Sequence, residues 1–111
     1  MEHRELLIKY YKKLINNIYK NLPLFEGVKY KTKEVIYTPE EAYRNYQIHL
    51  SNLLVEIYGN CQLFFYSDNS IKLASIMKGM IAETEHDSIK RLTMECINLC
   101  KKIIKEIEEK E

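Results

Sequence analysis

Arginine, glycine, cysteine and histidine each occur only three times in this chain of 111 residues, proline twice and tryptophan never. An odd number of cysteines, with Cys96 and Cys100 four apart in a helical pattern, argues against a disulfide framework and predicts reduced thiols, as in a cytoplasmic protein. No basic segment followed by an apolar stretch opens the sequence, and no apolar run approaches the roughly 20 residues that span a bilayer, so neither secretion nor membrane insertion is expected. There is no Gly-x-Ser-x-Gly and no glycine-rich phosphate loop, which removes two common frameworks for nucleophilic and phosphoryl-transfer chemistry. Charge of one sign is lacking too. Seventeen basic against sixteen acidic side chains leave +1, so no global field points to nucleic acid or membrane.

What is present is a chain that is 46% hydrophobic and 30% charged, the composition of one globular domain over residues 1–111. No internal repeat, linker or low-complexity tract interrupts it. Lysine outnumbers arginine fourteen to three. With abundant Ile, Asn and Tyr and scarce Gly, Ala and Pro, this usage reflects A/T-rich codons and points to a low-GC bacterium or one of its phages or plasmids.

The periodicity is helical. From Leu6 to Leu22, a rotation of about 100° per residue gathers Leu7, Tyr11, Leu14, Ile15, Ile18 and Leu22 on one arc and Lys9, Lys12, Lys13, Asn16 and Lys20 on the other. Tyr10 and Tyr19 fall at opposite borders, and Pro23 is expected to stop the helix. Between Pro23 and Thr38 the period changes to two: Val28, Tyr30 and Thr32 alternate with Lys29, Lys31 and Lys33, which predicts a short β-hairpin or extended arm over about residues 27–38. Thr38-Pro39-Glu40-Glu41 then reads as a capping box. From there Tyr43, Tyr46, Leu50, Leu53 and Ile57 recur at spacings of three and four. Cys61, Phe64 and Phe65 rejoin that arc if the helix ignores Gly59, predicting one helix to about Tyr66; a break at Gly59-Asn60 is the alternative. Ser67 to Ser70 make a turn, after which Leu73, Ile76, Met77 and Met80 share a face. Thr84 is the expected cap of the last helix, which turns Ile89, Leu92, Cys96, Leu99, Cys100, Ile103 and Ile107 inward and is expected to fray at its lysine- and glutamate-rich tail. These elements predict a small all-α antiparallel four-helix bundle with the arm between its first two helices.

Few constellations offer chemistry. Cys96 and Cys100 sit at the centre of an apolar arc, where cysteine behaves as a small hydrophobe. Glu83-x-x-His86 has the spacing of di-iron bundles, but that chemistry needs a second such pair and two more inward glutamates; helix capping accounts for the acids more simply. His49 reads as a satisfied boundary residue. The sequence therefore predicts no catalytic residue, no metal site and no cofactor.

Two surface features remain. Residues 1–35 hold eight basic and four acidic side chains, a local +4, and Lys9, Lys13, Lys20, Lys29, Lys31 and Lys33 are the candidate patch for an anionic partner. Ile48 and Val55, seven apart, lie opposite the core arc of the second helix, and a helix apolar on two sides is either central or pressed against another chain. Ile48, Val55, Tyr10 and Tyr19 are thus the candidate residues for a protein partner or a homodimer. The expected function is non-enzymatic: an inhibitor, immunity-type or regulatory factor, from a phage or other mobile element, that binds a partner protein stoichiometrically. The alternative is nucleic-acid or anionic-ligand binding through the lysine-rich N-terminal third, with Tyr10, Tyr19 and Tyr30 available for stacking.

Overall fold

A computed structural model describes residues 3–29, 32–63 and 65–109. Its helices are α1 (Arg4–Ile18), α2 (Asn21–Glu26), α3 (Pro39–Leu63), α4 (Asp68–Met80) and α5 (His86–Glu109). The four longer ones form a bundle. α5 packs against α1 and α4, α4 against α3, and the short α2 lies across α3 and α5. Side-chain bonds fix the directions. The start of α3 reaches the end of α4 through Tyr46 and Gln47, the start of α4 reaches the end of α5 through Asn69 and Glu106, and the start of α1 reaches the end of α5 through Arg4 and the Glu108 carbonyl. Each of these pairs is antiparallel. The long dimension of 47 Å is set by α3 and α5, 25 and 24 residues long.

Pro23 does not end helical structure. α1 stops at Ile18, the chain turns through Tyr19 and Lys20, and α2 restarts with Pro23 as its third residue. In the first turn of a helix the backbone N–H has no intrahelical acceptor, so proline costs nothing there. Gly27 closes α2 at φ +72°. A side chain at Gly27 would be strained by that φ, and its Cβ would sit 3.0 Å from both Ala42 Cβ and the Tyr37 carbonyl oxygen.

The β-hairpin expected over residues 27–38 is not formed. Among the described residues there is a single bridge, Val28 to Val35, and no strand. The Lys33 N–H donates to the Lys29 carbonyl at 2.9 Å, so the segment curls into a tight turn, with Lys33 itself at φ +60°, before alternation can set up a ladder. Tyr30 and Lys31 lie outside the described residues. The Gly27 carbonyl accepts from both Ile36 and Tyr37 N–H, at 2.8 and 3.2 Å, which ties the far end of the loop back to its start.

The capping box of α3 is made. Glu41 N–H donates to Thr38 Oγ1 at 3.3 Å, and Thr38 N–H and hydroxyl donate to Glu41 Oε1 at 3.2 and 2.8 Å. These bonds hold the Glu41 pKa below its ordinary value. Thr38→Ala should lower the thermal midpoint by about 3–5 °C, the usual effect of losing an N-cap in a domain of this size. The deficit should narrow as pH falls through the carboxylate range and Glu41 gains its proton, a comparison open to thermal melts of both proteins at two pH values.

α3 passes through Gly59 without a break and runs to Leu63, where the Phe65 N–H bonds back to the Asn60 carbonyl at 3.0 Å. Phe64 lies outside the described residues. Ser67 caps α4 by accepting from Ser70 N–H at 3.2 Å. At the other end, no left-handed glycine follows α4 to close it, and Ile81 stands at its C-cap. α3 closes it instead: Tyr46 Oη–H donates to Met80 O at 2.6 Å and Gln47 Nε2–H to Ile81 O at 3.0 Å. Thr84 is not the cap of the last helix, which starts at His86; the Glu83 carboxylate takes the N–H groups of Thr84 and Glu85, both at 3.0 Å. Nor does the helical tail end early, since α5 continues to Glu109 with Ile107 buried.

The core is the predicted arcs brought face to face: Leu7, Tyr11, Leu14 and Ile18 with Tyr46, Leu50 and Ile57, closed by Leu73, Met77, Cys96, Cys100 and Ile103. Cys96 and Cys100 are fully buried, and the Cys96 thiol points at Met80 Sδ, 3.8 Å away.

Candidate functional site

α3 organises the surface as well as the core. One side of it is buried; the other carries Ile48 and Val55, 51% and 71% exposed. Seven residues is two helical turns, so the two side chains stand in line with Asn52 between them. Two open grooves run along the flanks. One, of about 550 Å³, lies between α3 and the α1–α2 corner and is lined by Lys20, Lys29, Ile36, Tyr37, His49 and Asn52 among others. The second, of about 430 Å³, lies between the end of α3 and α4 and is lined by Tyr58, Cys61, Tyr66, Ile71 and Lys78 among others.

The sequence-predicted residues do not gather at one place. Ile48 and Val55 face outward together, as expected. Tyr10 does not join them: it is half-buried, with its ring edge-on to Tyr11 at 5.1 Å. Its hydroxyl is enclosed near Glu56 and Asn60, and burial, reinforced by the Glu56 charge, raises its pKa. Tyr19 is exposed at the end of α1. Lys9 and Lys13 are exposed on α1, and Lys20 stands at the turn that leads into α2. Lys29 is engaged by Glu34 at 3.2 Å, and Lys33 sits across the turn from it; Lys31 lies outside the described residues.

His49 is held as a boundary residue, its Nε2 2.9 Å from the Asn17 carbonyl. Glu83 is turned to main-chain N–H groups, while His86 meets Glu26 at 3.3 Å and Asp87 at 3.6 Å, so the Glu-x-x-His spacing does not assemble a ligand set. Among the described residues no group of three His, Cys, Asp or Glu side chains could hold a metal ion, and no helix is long and apolar enough to cross a membrane.

Sequence reasoning missed the apolar flanks. Val35, Ile36 and Tyr37 are all exposed on the loop that borders the first groove, and Tyr58, Tyr66 and Ile71 are exposed around the second. Three consecutive apolar residues in a segment read as a strand give no face to assign, and Tyr58 sits at the edge of the α3 arc. No family model, no curated protein and no solved structure matches this chain.

Proposed function

We propose that this chain is a non-enzymatic interaction protein, an inhibitor, immunity-type or regulatory factor of a phage or other mobile element, that binds a partner protein stoichiometrically through the outward side of α3. The observation that carries this reading is the exposure of Ile48 and Val55 midway along the helix whose opposite side is the centre of the core. Apolar residues on both sides of a central helix suit burial on both sides. Exposed Ile36 and Tyr37 on one flank and Tyr58 on the other widen the apolar surface beyond two isolated side chains.

A second copy of the chain suits the same stripe. In an antiparallel crossing centred on Ser51 and Asn52, Ile48 of one protomer meets Val55 of its partner, and the reverse contact follows from the two-fold axis.

The test is the double substitution Ile48→Asp with Val55→Asp. Both positions are exposed, so the thermal midpoint should stay near wild type. Self-association in sedimentation, or capture of a partner from the native host identified by mass spectrometry, should fall at least tenfold. Wild-type behaviour of the double variant in both measurements would sink the proposal.

A further inference from the structure

We infer that the α1–α5 side of the bundle is a polyanion surface that takes the phosphodiester backbone of a nucleic acid. Residues 71–111 carry eight basic and eight acidic side chains, so along the chain the segment looks neutral. Folding sorts those charges. Glu106 lies on the α4 side of α5, where it accepts from Ser67 and Asn69, and Glu95 is paired with Arg91 at 3.2 Å. Lys90, Lys101 and Lys105 are spaced by eleven and four, close to whole helical turns, and so share the opposite flank. That flank faces α1, the neighbour of α5 on the side away from α4.

α1 brings its own lysines to the same side. Tyr10 and Asn17 mark the flank of α1 turned to α3, Asn17 through its carbonyl on His49. Lys12 and Tyr19, seven apart, therefore lie on the α5 flank, with Lys9 beside them on the exposed face. The Arg4 contact with the Glu108 carbonyl sets the antiparallel register, which puts Lys12 level with Lys101 and Lys9 level with Lys105 to within about one turn. The result is two levels with a lysine from each helix, and Lys90 beyond them. All five lysines are exposed and none is in an ion pair among the described residues; Glu5, Asp87, Glu108 and Glu109 are the acids that share the side.

Like charges gathered on one side repel one another, and a row of phosphates relieves that repulsion along its whole length. Tyr19 and Met94, 38% and 44% exposed, lie at the far end of the ladder, where an unstacked base can rest against a ring. A membrane surface fits less well, because those two side chains are too few to form an apolar face that inserts between lipids. The inference is independent of the proposed protein interface on α3 and uses different residues.

The experiment is fluorescence anisotropy of a labelled oligothymidine with the full chain, across a salt series. Wild type should bind, with log affinity falling against log salt at a slope of about −3.5, as expected for roughly five contacts to a single strand. Lys12→Glu with Lys101→Glu and Lys105→Glu should weaken binding at least tenfold. Lys33→Glu with Lys72→Glu and Lys78→Glu changes the net charge equally but elsewhere, and should stay within threefold. Ile48→Asp with Val55→Asp should bind the oligonucleotide as wild type does, which separates failure here from failure of the α3 reading. Absence of binding at low salt, equal losses in the two lysine triples, or polyglutamate competing as well as oligonucleotide at equal charge would each overturn the assignment.

Discussion

Tyr46→Ala is expected to destabilise the fold by about 3–5 kcal/mol, and Tyr46→Phe by about 1 kcal/mol. The ring is fully buried. It packs edge-on to Phe25 at 5.4 Å and stacks on Tyr43 at 6.0 Å, so it joins α2 to α3 while its hydroxyl joins α3 to the last carbonyls of α4. Alanine removes all of these links and leaves a cavity where three helices meet. Phenylalanine removes only the hydroxyl, and Met80 O keeps a second donor, the Glu83 N–H at 3.0 Å, so no carbonyl is stranded. Domains of this size are stable by about 5–15 kcal/mol, so the alanine variant sits near the threshold of folding. Chemical denaturation of the three proteins measures both numbers. Equal losses in the two variants would show that the hydroxyl, and not the ring, holds this corner.

Alkaline pH should unfold the protein cooperatively. Burial pushes the Cys96 and Cys100 thiols up to about 12, helped by the Glu95 charge at the first and by Cys96 itself at the second. Burial also raises Tyr11 and Tyr46 above the ordinary tyrosine value. The native state therefore keeps protons that the unfolded chain releases, near pH 8.5 for thiols and near 10 for phenols. Stability from these groups is intact below about pH 8.5 and declines as pH rises, at about 1.4 kcal/mol per pH unit for each group ionised only in the unfolded chain. By about pH 11 the combined loss is on the order of 5–10 kcal/mol, as large as typical total stability. Part of the tyrosinate absorbance should accordingly appear only as helical circular dichroism disappears. Complete ionisation of the tyrosines with helix content unchanged would refute the assignment.

The bundle was legible in the sequence where one strong period ran uninterrupted. α3 declares its start by Thr38 and Glu41 and its buried side by Tyr46, Leu50, Leu53 and Ile57, and all of these hold. The errors lie where a local rule has two outcomes. Proline stops a helix from within but is tolerated in the first turn, and the turn at Tyr19 and Lys20 that decides between them for Pro23 is set by packing of α2 on α3 and α5. Alternation over Val28 to Lys33 is a strand signal only if a partner strand is long enough to pair with, and the turn at Lys29–Lys33 uses up the residues that would have supplied it. Thr84 is the cap that sequence suggests for α5, but the helix starts at His86, and it is the neighbouring Glu83 carboxylate that takes the Thr84 and Glu85 N–H groups. The outward stripe of Ile48 and Val55 could be read from spacing alone, whereas its apolar borders depend on where the loop and α4 come to rest. The lysine ladder could not be read, because it adds part of α1 to part of α5, and the α5 lysines cancel against acids when charges are summed along residues 71–111.

Gly59 lies one helical turn beyond Val55, and a methyl group at its α-carbon would touch nothing within 4 Å. Neither a left-handed backbone nor a tight neighbour asks for glycine there; the helix simply runs through it. Compared with alanine, such a residue leaves α3 weaker by about 1 kcal/mol. What it provides in return is a shallow notch in an otherwise knobbed ridge, a place where a second backbone could come closer than any side chain would allow.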